Sequence, residues 1–318
     1  MPPALRCFSS PRYFVPLPAG HVFPMRKFRD SVATLIGEGT LEPAQVVDPG
    51  RIDDRELYRV HTRGYVASIR TGAYNDATRA RLGLPWSQAL ADRSHCAVAG
   101  TLAAARAALR DGIACNLAGG THHAFPDRGE GFCVFNDVAV AIRAMQEDEP
   151  YLQAMVVDLD AHQGNGTNAI FAATPGVFTL SVHVGRNYPS VKVPGSLDVE
   201  LSRFAGAGEY FDRLTAELPP ALDRFEPDVV FYIAGADVHE DDRFGQMKLT
   251  TGDMRRRDEW TIDQSRDRQI PTVVLYGGGY NKVDGMTTEL HCQTVRIAAA
   301  RFEEETTTKP RRAQSGCL

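Results

Sequence analysis

Five short apolar runs recur along the chain, and longer amphipathic stretches separate them. Each run is rich in β-branched residues and nearly continuous in hydrophobicity, which is typical of a strand covered on both faces of a parallel sheet. The runs are IACNLAGG from Ile113, AMVVDLDA from Ala154, VFTLSVHV from Val177, DVVFYIAGA from Asp228 and PTVVLYGGG from Pro271. We therefore predict that these runs form buried strands.

Helical patterns lie between the predicted strands. NDVAVAIRAMQE starts at Asn136, a suitable N-cap, and the charged stretch TGDMRRRDEWTIDQSRDRQ starts at Thr251. In GEYFDRLTAELPPALDRF, from Gly208, the apolar spacing is helical, but the proline pair is expected to distort or end the helix. The alternation of strands and helices predicts a parallel sheet with right-handed crossovers.

No linker and no internal repeat divides the chain, so we predict one α/β domain over residues 1–305. Because the sheet is covered on both faces, the domain has three layers, α/β/α, with a mainly parallel central sheet. The segment EEETTTKPRRAQSGCL is polar and uneven in charge, which predicts a flexible C-terminal tail over residues 306–318.

The composition argues against several classes of protein. Lys and Arg number 35 and Asp and Glu 40, and the resulting net charge of −5 argues against nucleic-acid binding. No apolar run approaches the roughly 20 residues of a membrane helix, and the N-terminal segment has no signal-peptide pattern. The six cysteines form no C-x-x-C pair. We therefore expect a cytoplasmic protein without nucleic-acid or membrane partners, and the sequence leaves the oligomeric state open.

Polar residues follow four of the five predicted strands. Because the carboxyl ends of parallel strands share one edge, where open α/β sheets bind ligands, we expect these residues to converge. They are His122 and His123 after the first run, Asp158, Asp160 and His162 after the second, Asp237 after the fourth and Tyr280 after the fifth.

Three of these residues predict a metal site. Asp160 and His162 are two apart, so on an extended segment they point to the same side. With Asp237 they supply two carboxylates and one imidazole, and they leave a coordination position open for water and substrate. Zn²⁺ suits this set, and Fe²⁺, Co²⁺ or Mn²⁺ are alternatives. A lone D-x-H pattern would favour loop capping, but the polar residues on matching strand ends favour a catalytic metal.

The remaining residues suggest acid–base and electrophilic roles. One imidazole of His122 and His123 could take a proton from water, while the other supports charge or protonates a leaving group. The glycines 277–279 let the backbone approach a ligand, and Tyr280 could donate to an oxyanion. The alternatives are a structural histidine pair and a glycine-rich turn with a packing tyrosine.

Taken together, the motifs resemble a known family. GGTHHAFPDRGEGFCVFNDVAVAI, DLDAHQGNG, AGADVHEDDRFG and GGGYN, in this order, are similar to the zinc-dependent histone deacetylases of the arginase–deacetylase fold. The sequences DLDAHQGNG and GADVHEDDRFGQMKLT are most similar to those of class IV histone deacetylases and bacterial histone deacetylase-like amidohydrolases. The resemblance covers about residues 20–300.

The resemblance implies a role for each residue. The zinc ligands would be Asp160, His162 and Asp237. The tandem histidines would be His122 and His123, with Asp158 holding the first and Asn165 behind the second. Tyr280 would polarise the scissile carbonyl, and the acyl-lysine channel would be lined by Gly131, Phe132, Tyr188 and Gly278.

The resemblance also implies structural monovalent cations, K⁺ or Na⁺. The first site would use Asp158, Asp160, His162, Ser181 and Val182, and the second would lie near Phe171, Thr174 and Val177.

One position departs from the common pattern, because many members of this family have an aspartate where this chain has Asn165. A neutral amide can orient His123 but cannot stabilise its imidazolium as a carboxylate would. We predict that His123 is more readily neutral here, which favours a role as base.

The implied function is hydrolysis of a linear amide bond. A metal-activated water would remove an acetyl or longer acyl group from the ε-amine of lysine, in a peptide or protein or in a small acylated amine. An acetylpolyamine amidohydrolase is the first alternative. A ureohydrolase such as arginase or agmatinase fits less well, because its D-A-H-x-D motif would place a carboxylate where this chain has Gly164. A catalytically silent binder of acyl-lysine is also possible, although every catalytic position is filled.

Overall fold

A computed structural model describes the backbone of residues 4–308 and the side chains through residue 304. Within this part of the chain, eight parallel strands form one open sheet, in the order β2-β1-β3-β8-β7-β4-β5-β6. The strands are β1 (Arg6–Phe8), β2 (Val46–Val47), β3 (Ile113–Asn116), β4 (Ala154–Asp158), β5 (Val177–Val184), β6 (Leu197–Leu201), β7 (Val229–Ala234) and β8 (Thr272–Tyr276).

Helices cover both faces of the sheet. They are α1 (Lys27–Gly37), α2 (Asp54–Leu57), α3 (Arg63–Thr71), α4 (Asp76–Leu82), α5 (Gln88–Asp111), α6 (Asp137–Asp148), α7 (Asn165–Phe171), α8 (Ala207–Phe225), α9 (Thr251–Asp267) and α10 (Met286–Thr308). Successive residues of β4 belong to different apolar cores: Val157 to the core that includes residues of α1, α8, α9 and α10, and Val156 to the core that includes residues of α3, α5 and α6. The predicted three-layer α/β arrangement is therefore confirmed.

All five predicted strands are present, and three further strands escaped prediction. β1 and β2 span three and two residues, which is too short for a recognisable pattern. β6 has the sequence LDVEL and lies at the edge of the sheet, where Glu200 is exposed. These strands depend on their neighbours in the sheet: β1 pairs with β3, β2 with β1 and β6 with β5.

The proline pair does not end α8, and the other expected effect, a distortion of the helix, stays a prediction. Pro219 and Pro220 lie inside the helix, which continues to Phe225. Proline removes the hydrogen bonds that the carbonyls of Thr215 and Ala216 would accept. Both residues are exposed, so water can satisfy these carbonyls, and the apolar face of the helix remains packed.

The C-terminal helix α10 continues to Thr308, past the predicted domain boundary at residue 305. The rest of the predicted tail, residues 309–318, lies outside the described residues. Among the helices of the described residues, none combines the length and apolar character that crossing a bilayer requires.

Candidate active site

The predicted polar residues come together at the carboxyl edge of the sheet. β3, β8, β7 and β4 are neighbours in this order, so the loops that follow them meet at one place. Each loop brings one part of the site: the histidine pair after β3, the D-x-H segment after β4, Asp237 after β7 and Tyr280 after β8. The expected convergence of four strand ends is therefore confirmed.

Asp160, His162 and Asp237 form a buried group whose ligand atoms all lie within 4.8 Å of one another. His162 Nδ1 lies 3.0 Å from Asp160 Oδ1 and 2.9 Å from Asp237 Oδ2. Burial and the nearby charge of Asp160 raise the pKa of Asp237 to about 7. Two buried carboxylates in this arrangement are costly without a cation between them, so the donor set fits a divalent metal.

Backbone N–H groups hold the two carboxylates in place. Gly278 N–H donates to Asp160 Oδ2 at 2.6 Å, and Ala161 N–H donates to Asp237 Oδ1 at 2.9 Å. A Cβ atom at Gly278 would lie 2.2 Å from Asp237 Oδ2, so only glycine allows this approach. Gly278 lines a small cavity together with Asp160, His162 and Tyr280, and its predicted role in the acyl-lysine channel stays a prediction.

The adjacent histidines have different environments. His122 Nδ1 lies 2.6 Å from Asp158 Oδ2, and the carboxylates of Asp158 and Asp160 outweigh the effect of burial and raise the pKa of His122 to about 9. His123 Nδ1 lies 2.7 Å from Asn165 Oδ1, and burial and the neighbouring His122 hold the pKa of His123 well below its usual value. With ring centroids 4.0 Å apart, one imidazole is cationic and the other neutral near pH 7.

Tyr280 is 8% exposed, and its ring contacts Phe23, Phe132 and Phe244. Its backbone N–H donates to Asp242 Oδ2 at 2.6 Å, which connects the loop after β8 to the loop after β7. Burial, followed by the charge of a nearby carboxylate, raises the pKa of the phenol well above 10. The phenol therefore stays protonated and can act only as a donor to an anion.

A cavity of about 350 Å³ opens from the histidines to the surface. Phe132 and Tyr188 form part of its wall, and the Tyr188 ring lies edge-on to His123 with centroids 4.8 Å apart. Gly131 has φ +56°, and a Cβ atom there would lie 2.6 Å from His123 Cδ2. Glycine thus allows the wall to pass directly against the imidazole.

A second cavity of about 40 Å³ is lined by Asp160, His162 and Tyr280 and by both histidines of the pair. Lys27 and Arg93 contribute to its wall, and the Lys27 ammonium donates to the carbonyl of Gly277 at 2.9 Å. Both side chains are buried, and burial lowers the pKa of Lys27 to about 8.

The residues predicted to hold monovalent cations lie in two places. Asp158 and Ser181 are paired across β4 and β5, directly below the D-x-H segment. Ser181 Oγ lies 3.0 Å from His183 Nδ1. At the second place, between α7 and β5, Thr174 Oγ1 accepts a hydrogen bond from Arg143 at 2.9 Å. Ion binding at both places stays a prediction.

Residues 21–295 match the family model described as histone deacetylase domain. The chain belongs to the histone deacetylase family. This family consists of deacetylases and related amidohydrolases, so the protein is a hydrolase, and the predicted family is confirmed.

Curated members of the histone deacetylase family and their relatives align over most of the chain. An uncharacterized protein of Picosynechococcus sp. is 40% identical over 86% of this chain and 91% of its own length. Histone deacetylase 2 of Arabidopsis thaliana is 30% identical over 82% of this chain and 70% of its own length. Acetoin utilization protein AcuC of Staphylococcus aureus is 26% identical over 82% of this chain and 73% of its own length.

Solved structures share the fold of this histone deacetylase family member. A crystal structure of an HDAC homolog complexed with SAHA superposes with a TM-score of 0.79 and 21% identity, covering 95% of this chain and 84% of the other. The HDA15 HD domain superposes with a TM-score of 0.77 and 20% identity, covering 96% and 95%. These similarities confirm the predicted arginase–deacetylase fold.

Asp242 and Glu130 are among the polar residues of this histone deacetylase site that were not predicted from the sequence. Asp242 accepts the N–H groups of Phe244, Gly245 and Tyr280, and Glu130 accepts from Asn165. Both stand in conspicuous motifs, HEDD and GEGF, but no local spacing indicates their distant partners.

Proposed function

We propose that the protein hydrolyses the amide bond of an acetylated lysine side chain in a peptide or protein. The observation that carries the proposal is the meeting of the three-residue metal group, the histidine pair and Tyr280 at the inner end of the 350 Å³ cavity. His123, His162 and Tyr280 line both this cavity and the smaller one, and His122 and Asp160 line the smaller one. A long neutral side chain can enter from the surface, and its amide would reach donors, a base and a cation site together.

Asp160, His162 and Asp237 would hold Zn²⁺, with Fe²⁺ as the alternative, since two carboxylates and one imidazole suit both ions. The bound ion would supply Lewis acidity toward the amide carbonyl and toward water. The protein contributes a water-poor surrounding and carboxylates that are already oriented by backbone N–H groups.

The neighbouring side chains supply the proton transfers and the oxyanion donor. His123 is neutral, and its Nδ1 is engaged by Asn165, so Nε2 is left to take a proton from the attacking water. The Tyr280 hydroxyl donates to the developing oxyanion. His122, which is cationic beside Asp158, can release a proton toward the leaving amine.

The cavity mouth favours a peptide over a cationic polyamine. Among the described residues, Arg81 and Arg243 are the charged side chains that line the cavity apart from its histidines, and none is a carboxylate. Both arginines are exposed. Their positive field would repel N-acetylputrescine and favour a neutral or acidic sequence around the acyl-lysine.

The small cavity that extends from the metal ligands to Lys27 and Arg93 favours a short acyl group. Its volume of about 40 Å³ holds roughly three water-sized groups, which is enough for an acetyl group but not for a long fatty chain. Phe23 and Phe28 contribute to its wall; Phe28 is buried in the apolar core and the half-buried Phe23 packs against that core, so a longer chain would have to displace them.

A substrate panel tests this function. Zinc-loaded and iron-loaded protein would be assayed with acetyl-, octanoyl- and myristoyl-lysine peptides and with N-acetylputrescine, each with and without a hydroxamate chelator. We expect the acetyl-lysine peptide to have the highest kcat/KM, by about tenfold or more. Asp160→Asn should lose both metal and turnover.

Other outcomes would favour the other functions. A higher kcat/KM for N-acetylputrescine would assign the site to acetylpolyamines, and preferred octanoyl or myristoyl peptides would refute the short-acyl argument. Binding of acetyl-lysine peptide to the metal-loaded protein without turnover would indicate a silent binder. A second metal ion per chain would favour a ureohydrolase, although the described residues contain one three-ligand group and Gly164 stands where another carboxylate would be needed.

We also propose that K⁺ or Na⁺ binds beside Asp158 and Ser181, directly behind the catalytic edge. A cation there would offset part of the negative charge of Asp158 and Asp160. Thermal unfolding in KCl, NaCl and tetramethylammonium chloride at equal ionic strength tests the proposal. An equal Tm in the three salts would contradict it.

A further inference from the structure

Glu130 lies in the loop between β3 and α6, and no step described above uses it. Its side chain is only 12% exposed. Its Oε1 accepts hydrogen bonds from Asn165 Nδ2 at 2.7 Å and from the Tyr188 hydroxyl at 3.3 Å, and Arg128 Nε lies 3.5 Å from its Oε2. This carboxylate is therefore one amide group away from His123.

The amide of Asn165 connects the two groups. Its Oδ1 lies 2.7 Å from His123 Nδ1, and its Nδ2 lies 2.7 Å from Glu130 Oε1. An ionised carboxylate can only accept hydrogen bonds, so the NH₂ end of the amide must face Glu130. The oxygen end then faces His123, and Nδ1 of the imidazole must carry the proton.

We propose that Glu130 is a positioning residue that acts through Asn165 to keep the proton of His123 on Nδ1 and the lone pair on Nε2. Because Nε2 is the nitrogen left to receive a proton from water, this inference rests on the proposed hydrolytic function. If the Asn165 amide were rotated by half a turn, its NH₂ group would donate to Nδ1 of His123. The imidazole proton would then be on Nε2, and His123 could no longer act as a base.

The surroundings make the carboxylate difficult to replace. Asn165 is 2% exposed, so water has little access to its NH₂ group once the acceptor is removed. The same carboxylate oxygen binds Tyr188, so the wall of the substrate cavity and the amide are held by one group. A glutamine at position 130 could present either its oxygen or its nitrogen to Asn165, and the amide would lose its unique orientation.

Glu130→Gln measures the effect on turnover. We expect kcat for the acetyl-lysine peptide to fall by about tenfold or more, because part of the protein has the wrong tautomer. Glu209→Gln is the matched control, since Glu209 also accepts a hydrogen bond, from Ser202 N–H at 2.7 Å, but lies at the start of α8. A kcat of Glu130→Gln equal to that of the control would overturn the proposal.

The combination with Asn165→Asp separates positioning from a structural contribution. Asn165→Asp alone would place two carboxylates 2.7 Å apart, where they repel each other. In that background Glu130→Gln supplies a donor to the new carboxylate, so it should raise kcat instead of lowering it. Two losses that add would refute the proposal, because a stability effect does not change sign between the backgrounds.

The tautomer itself provides a readout that needs no activity. Long-range ¹H–¹⁵N NMR of the histidine rings, with His123 assigned by loss of its signals in His123→Gln, should show protonated Nδ1 and unprotonated Nε2. Glu130→Gln should add the opposite tautomer. Protonated Nε2 in the unaltered protein would overturn the inference, whereas failure to hydrolyse any acyl-lysine would refute only the proposed function.

Discussion

Tyr280→Phe removes one hydroxyl from the site and leaves its framework in place. The ring is packed against Phe23, Phe132 and Phe244, with centroids 6.1, 5.6 and 5.1 Å away, and phenylalanine can occupy the same space. The backbone N–H at this position still donates to Asp242. The substitution therefore isolates the contribution of the phenol.

The expected magnitude follows from the burial of the phenol. Loss of one oxyanion donor typically lowers kcat by about 10²–10³, or about 2.7–4 kcal/mol. Tyr280 is 8% exposed, so little water can enter to replace the missing hydroxyl. We therefore expect a decrease near about 10³ in kcat, with a small change in KM, because the oxyanion exists only after the water has attacked.

The assay is steady-state hydrolysis of an acetyl-lysine peptide, together with metal content and Tm. Tyr151→Phe is the control, because Tyr151 is 95% exposed and lies before β4, at the opposite edge of the sheet. Full activity of Tyr280→Phe with metal retained would remove Tyr280 from the mechanism. A loss of activity that follows a loss of metal would instead mean that the ring holds the metal ligands in place.

Three further perturbations test other parts of the site. His123 has a lowered pKa, so its neutral form persists until the pH falls through that value. Asn165→Asp would raise the pKa of His123 and move the acid limb of the kcat/KM profile to higher pH, and an unmoved limb would contradict the role of Asn165. Gly278→Ala places Cβ 2.2 Å from a carboxylate ligand, so chelator competition should show a metal affinity about 10–100-fold lower, and an unchanged affinity would refute the close approach. Arg243→Glu should raise kcat/KM for N-acetylputrescine by about tenfold, whereas Arg110→Glu, at the opposite edge before β3, should leave it unchanged; equal effects would mean that net charge alone matters.

Local sequence patterns are enough to predict the five central strands and the chemistry that follows four of them. Buried parallel strands require continuous β-branched apolar runs, so β3, β4, β5, β7 and β8 are visible as local patterns. Parallel strands also put their carboxyl ends at one edge, so the meeting of Asp160 with Asp237 could be predicted without knowing the strand order.

The contacts between loops, in contrast, depend on how distant segments of the chain pack against one another. Glu130 binds Asn165 across 35 positions of the chain, and Asp242 binds Tyr280 across 38. The continuation of α8 through Pro219 depends on a helix face that is exposed to water. Such contacts arise where sequence-distant segments meet, so the chemistry of single residues shows what each can donate or accept, while the packing decides with which partner.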